Sequence, residues 1–199
     1  AEGPAILVGT QMLAKGHDLP NLTLVAIVGV DEGLHSVDFR ASERLAQLTV
    51  QVAGRAGRAS KPGRVILQTH HPEHPLLRQL LAQGYGAAAK ELLVERQALQ
   101  LPPYHHQVLL RADAHQREQV DAFLAEARGA LDPEGLQIAG PMPAPMPLRA
   151  GRHRGQLLIE GPSRAALHTA LRPWSRALSA LPSARKVRWS LDVDPIDLY

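Results

Sequence analysis

Apolar residues in the first hundred positions fall into short runs separated by longer stretches of helical period. Residues 5–10 and 23–30, and again Gly63-Arg-Val-Ile-Leu-Gln68, are brief runs bounded by glycine or polar residues, the pattern of strands buried in a sheet. Between them, residues 41–56 place Leu45, Leu48 and Val52 at helical spacing. Strands that alternate with helices predict a parallel sheet covered by helices. Two more helices, Leu76 to Gln83 and Ala87 to Gln100, are broken by Gly84-Tyr85-Gly86. Leu101-Pro102-Pro103 ends the second, because proline cannot continue a helix, and a domain boundary is predicted between residues 101 and 102.

Beyond that point the rhythm changes. A strand at 106–113, a helix at 116–131, strands at 136–140 and 154–160, a helix at 163–180 and a strand at 186–193 give the order β-α-β-β-α-β. This is a ferredoxin-like arrangement, antiparallel strands backed on one face by two helices. Ser163, following Pro162, is the expected N-cap of the second helix, since its hydroxyl accepts from a first-turn amide. The prolines of Gly140-Pro-Met-Pro-Ala-Pro-Met-Pro147 favour an extended arm between the central strands over a tight hairpin. The fold class is therefore α/β for residues 1–101, followed by an α+β domain over 102–199.

Composition narrows the function classes. With 199 residues, 45% hydrophobic and 21% charged, the chain has room for one or two globular domains with real cores. No apolar run approaches the roughly 18 to 20 residues of a membrane span, and no basic-then-apolar signal opens the chain, so a cytoplasmic protein is expected. Zero cysteines exclude disulfides and thiolate zinc ligands within these residues. The net charge of +3 is mild, but basic residues cluster at Arg149, Arg152, His153 and Arg154 and again at Arg185, Lys186 and Arg188. Phosphate contact and simple solvation both remain open for such short clusters. The His70-His71-Pro72-Glu73-His74 group lacks metal-ligand spacing and reads as a loop. Asp31-Glu32-Gly33-Leu34-His35 imitates a magnesium-binding Asp-Glu box, but is one residue too long and follows no phosphate loop; it reads as a strand ending in a polar loop.

The densest chemistry lies in Gln51-Val-Ala-Gly-Arg-Ala-Gly-Arg58. Arginines three apart on a helix share a face, and a guanidinium that cannot lose its proton presents a planar fork suited to phosphate. Ala53, Gly54, Ala56 and Gly57 leave that face open. Glycine costs about 1 kcal/mol in a helix relative to alanine, so stability is given up for close approach by another group.

This octet resembles the last signature motif of superfamily 2 helicases. The run Ile6 to Thr10, followed by Gln11-Met-Leu-Ala-Lys15-Gly16-His17-Asp18-Leu-Pro20, looks like the preceding motif of the same proteins. With Gln68-Thr-His-His-Pro-Glu-His-Pro75 and Arg185-Lys-Val-Arg-Trp189-Ser-Leu-Asp-Val-Asp194-Pro, the chain is similar along nearly its whole length to the family of bacterial replication-restart, or primosomal, DNA helicases.

The resemblance implies a partial RecA-like helicase lobe 2 over 1–101, its opening strands absent, and a C-terminal domain like a small ribosomal protein. It implies the C-terminal part of a larger ATP-dependent, 3′ to 5′ DNA helicase that recognises stalled or abandoned forks and starts primosome assembly in the nucleoid. Arg55 and Arg58 would sense the γ-phosphate, Gln51 would orient within the same cleft, and Gly16 and Asp18 would line the nucleotide side. Thr10, Lys15 and His17 would grip single-stranded DNA, and Arg149, Arg152 and Arg154 would contact DNA from the arm. Arg164 and Arg172 would receive the acidic tail of single-stranded DNA-binding protein. ATP with Mg, forked and single-stranded DNA and other primosome proteins are the implied ligands and partners, and zinc belongs to a module before Ala1. No G-x-x-x-x-G-K-[ST] phosphate loop is present, so these residues alone should not hydrolyse ATP. A sheet edge bared by missing neighbours predicts self-association. Two alternatives stay open, another superfamily 2 translocase and a non-catalytic DNA- or protein-binding module; residues 101–199 distinguish them, because other helicases carry unrelated appendages there.

Overall fold

The computed structural model describes residues 5–10, 22–36, 38–56 and 63–198. The chain divides into two compact units, Ala1–Glu95 and Arg96–Tyr199.

In the first unit, β1 (Leu24–Ile27) pairs in parallel with β2 (Arg64–Leu67), Leu24 opposite Arg64. A parallel pair requires the chain to travel back between strands, and α2 (Ala41–Ala53) is that return limb. A single helical turn, α1 (Asp31–Leu34), precedes it, and α3 (Pro75–Gln83) and α4 (Tyr85–Ala98) follow β2. Leu45 and Ala46 of α2 and Leu76, Leu77 and Leu80 of α3 bury their side chains with Val30, Ala88 and Leu92. The break between α3 and α4 is Gly84 alone, at φ +80°, a conformation that side chains other than glycine resist.

Three expectations fail here. Residues 5–10 form no strand, and Ile6 and Val8 are 94% and 88% exposed: an apolar run becomes a strand only where a neighbour is present to pair with it. The helix expected to reach residue 56 ends at Ala53 and continues as a turn, with Arg55 and Ala56 both donating to Val52 O in place of the helical ladder. The polar loop expected at Asp31 is the helical turn α1.

In the second unit, β3 (His106–Ala114), β4 (Gln137–Arg149), β5 (Arg152–Gly161) and β6 (Arg188–Val193) form one antiparallel sheet in the order β4-β5-β3-β6. With α5 (Arg117–Gly129) after β3 and α6 (Arg164–Leu178) after β5, this is the ferredoxin-like order read from the sequence. Both helices cover one face. Val120, Phe123, Leu124 and Ala127 of α5 and Leu167, Leu171, Trp174 and Leu178 of α6 pack against Val108, Leu110, Leu157 and Ile159. Ser163 caps α6 as expected, its Oγ accepting from Ala166 N at 3.2 Å.

The proline arm is corrected. β4 runs through all of it and turns tightly at Ala150 and Gly151, both at positive φ, into β5. An edge strand has one side with no ladder to feed, so prolines cost it little there. The strain shows instead as register shifts between Ala139 and Met142 and between Pro143 and Leu148.

Candidate nucleic-acid and partner interfaces

Because α2 is the return limb, its C-terminal end lies where β2 begins. Gln51 is exposed in its last turn and Arg55 is half-buried in the turn beyond, flanked by Gly54 and Ala56. Arg58 lies outside the described residues, as do Lys15, Gly16, His17 and Asp18. Thr10 is exposed in the irregular segment at 5–10.

The opposite end of the two strands is occupied by its own side chains. Asp31 accepts from Thr69 Oγ1 and from His70 N at 2.9 Å, and Thr69 Oγ1 in turn accepts from His71 N at 2.9 Å. The Thr69 hydroxyl, then the His70 amide, hold the Asp31 carboxyl below its ordinary range. This carboxylate is committed to tying the loop after β2 to α1. His35, His71 and His74 gather beside it, with ring centroids 4.8 and 6.0 Å from His35. His74 caps α3, its Nδ1 accepting from Leu76 N at 3.3 Å. Burial, then the neighbouring His35 and His71, lower its pKa, against a smaller upward pull from Glu95.

Alternation along β3 and β5 sets the chemistry of the second unit. Residues 108, 110 and 112 face the helices, so Arg111 and Asp113 face away, and Arg152 and Arg154 of β5 lie on that same side. Arg149 and Arg152 stand opposite each other at the hairpin end. Arg152 is internally engaged: its Nε donates to the Asp113 carboxylate and its Nη2 to Asp113 O at 3.0 Å. Arg149 is exposed and Arg154 half-buried.

Arg164 and Arg172 come together along α6. They border a groove of about 860 Å³ between that helix and β6, floored by Leu167, Leu171 and Leu191. Arg164 pairs with Asp194 at 3.2 Å, and His106 lies 3.7 Å from the other oxygen of the same carboxylate. Neither Asp194 nor His106 was singled out from the sequence. Both sit at strand ends, His106 opening β3 and Asp194 following β6, and only the register Val108 opposite Val193 brings them to one place.

The described residues do not compose a zinc site. The chain has no cysteine, and among the described residues no group of three His, Asp or Glu side chains is placed to hold a metal. For a nucleoside triphosphate, the donor chemistry of Arg55 fits a phosphate, and the sequence holds no G-x-x-x-x-G-K-[ST] loop to cradle one. Among the described residues, no helix is long and apolar enough to cross a membrane.

The comparisons with relatives run through both units, and a family model falls on the second. The family model described as the primosomal protein N C-terminal domain matches residues 97–196, which makes this the closing domain of a primosomal protein. Over 196 residues the chain is 54% identical to "Replication restart protein PriA" of Haemophilus influenzae, covering 97% of this chain and 27% of that protein. It is 39% identical to the protein of that name from Synechocystis, with 97% and 23% covered, and 34% identical to that of Bacillus subtilis, with 98% and 25% covered. The chain belongs to the PriA family, and it spans about a quarter of the length of the curated relatives it matches.

Proposed function

We propose that the chain is the C-terminal part of an ATP-dependent superfamily 2 DNA helicase, moving 3′ to 5′, that recognises stalled or abandoned replication forks and starts primosome assembly. Its first unit is then a partial RecA-like second lobe. The observation that carries the reading is the position of Gln51 and Arg55 at the exposed exit of α2, beside glycine and alanine, in a chain related to replication restart proteins.

Open α/β sheets usually hold their ligands at the carboxyl ends of the strands. Arg55 is at the other end, so the triphosphate it serves is cradled by polypeptide outside this unit. ATP, when bound, supplies the phosphoryl group. Arg55 and Arg58 spread positive charge over the three equatorial oxygens of the transferring group, an effect worth about 10³ to 10⁵ in rate for an arginine finger. Gln51 orients within the cleft, and Gly16 and Asp18 line its nucleotide side. Thr10, Lys15 and His17 hold the single strand from the same unit, so a change at the arginines moves the grip on DNA. The groove bordered by Arg164 and Arg172 suits an acidic peptide tail that ends in apolar side chains, as on single-stranded DNA-binding protein: guanidinium at the rim, leucines at the floor.

In the full-length protein, Arg55→Ala and Arg58→Ala should abolish ATP hydrolysis stimulated by forked DNA while leaving affinity for that DNA within about twofold. Parallel loss of both would refute the assignment. A wild-type protein stimulated equally by forked and plain duplex DNA would refute fork recognition.

A further inference from the structure

The first turn of α6 carries an unfavourable charge for its place. The amino end of a helix is its positive pole, where acidic side chains are favoured and cations are not. Here the first turn holds no acidic residue and opens with Arg164. The group that answers this arginine comes from across the groove: Asp194 accepts from Arg164 Nη2 at 3.2 Å. Among the described residues, Asp194 is the one carboxylate lining a groove that also presents Arg164, Arg172, His106 and His168. A surface suited to acidic ligands thus holds an acid of its own, and holds it on one of the arginines that border it.

The fold fixes that carboxylate in place. Asp194 N donates to Gln107 O at 2.9 Å, which prolongs the pairing of β3 with β6 by one residue. Its φ of +53° is a left-handed conformation that, glycine aside, asparagine and aspartate adopt most readily, although Pro195 behind it steers the residue toward an extended shape. The ion pair itself is loose. The side chains of Arg164 and Asp194 are 74% and 43% exposed, and a pair of this kind changes an equilibrium constant only about 1.4- to fivefold, so a ligand can break it. The released carboxylate keeps a neighbour, because His106 of β3 stands 3.7 Å from its other oxygen. Arg172, roughly 12 Å along α6 from Arg164, pairs with no carboxylate among the described residues. An extended peptide covers that distance in about four residues, so an acidic ligand can land on Arg172 and then contend for Arg164.

We propose that Asp194 is a built-in competitor at this groove, a carboxylate that occupies Arg164 until the carboxylate of an acidic peptide displaces it. The proposal rests on the reading of the groove as an acidic-peptide site and adds the residue that sets its affinity. Because a peptide gains Arg164 only by displacing Asp194, the groove binds more weakly than its two arginines alone would allow. The test titrates the full-length protein into a fluorescein-labelled peptide of three aspartates followed by leucine and phenylalanine, read by anisotropy. Asp194→Asn keeps the left-handed backbone and removes the charge, and should tighten binding about two- to fivefold. Asp194→Gly is equally at ease in that conformation and should do the same. In protein already carrying Arg164→Ala, adding Asp194→Asn should bring no gain, since the competition is for that guanidinium. Unchanged or weaker binding in either single variant, or an equal gain in the Arg164→Ala background, would overturn the competition. Wild-type protein that failed to bind the peptide would overturn the reading of the groove as well.

Discussion

Replacing Trp174 by Phe removes one hydrogen bond that closes a helix from outside. The last carbonyls of a helix have no partner within it and must find one elsewhere. At the end of α5, Glu126 O receives Ala130 N at 3.0 Å and Arg128 O receives Leu131 N at 3.3 Å. Between them Ala127 O is reached by Trp174 Nε1 from α6 at 2.7 Å, and both residues are buried, Trp174 at 2% exposure and Ala127 at 0%. Phenylalanine keeps a ring in place and cannot donate. A buried carbonyl left without its donor costs about 1–3 kcal/mol. The smaller ring also leaves a gap equivalent to about two methylenes, at ~0.8 kcal/mol each before relaxation. Together these predict a loss of about 2–4 kcal/mol. Both tryptophans, Trp174 and Trp189, lie in the second unit, so tryptophan emission during urea unfolding follows that unit, and Trp189 still reports in the variant. With a urea m-value of about 2 kcal/mol/M, the middle of the usual range, the midpoint should fall by roughly 1–2 M. A loss below about 1 kcal/mol at unchanged m would refute the view that Trp174 both caps α5 and fills the space between the helices.

Two further outcomes follow from named contacts. His74 must be neutral to accept from Leu76 N, and its folded pKa lies below the ordinary value of 6.5, so the unfolded chain binds more protons. Its contribution is therefore present above about pH 6.5 and lost as pH falls through the folded pKa. Asparagine caps without titrating, so His74→Asn should flatten the acid-side fall in stability between about pH 7 and 5 in unfolding followed by circular dichroism, and a variant as acid-sensitive as wild type would reject the cap's role. At the α6 groove, Arg164→Ala should weaken binding of a labelled acidic peptide about tenfold or more in a fluorescence titration, because it removes the rim cation; unchanged affinity would dismiss the groove as that peptide's site.

What could be read from the chain and what could not divide along a physical line. The β-α-β-β-α-β order was legible because each element's own period points its apolar residues to one face, as Leu167, Leu171, Trp174 and Leu178 do along α6. Ile6, Leu7 and Val8 misled for the converse reason: an apolar run states that burial is wanted, and whether a neighbour supplies it is a property of other parts of the fold. The prolines of β4 misled because a missing N–H matters only on the side that feeds a ladder, and which side that is depends on the strand's being at an edge. Among the arginines, two-residue spacing placed Arg152 and Arg154 together but gave no sign that Asp113, 39 residues away, would claim Arg152 and leave Arg154 outward. That distinction is a matter of register. A slip of one residue along β5 would turn Arg154 toward the helices and move Gly155 outward. Gly155 resists the slip, since at its position a Cβ would come within 2.9 Å of both Val120 and Leu124. The glycine that lets α5 settle on the sheet thus also keeps Arg152 and Arg154 on the face away from the helices, and any substitution there should be felt at the core and at that face together.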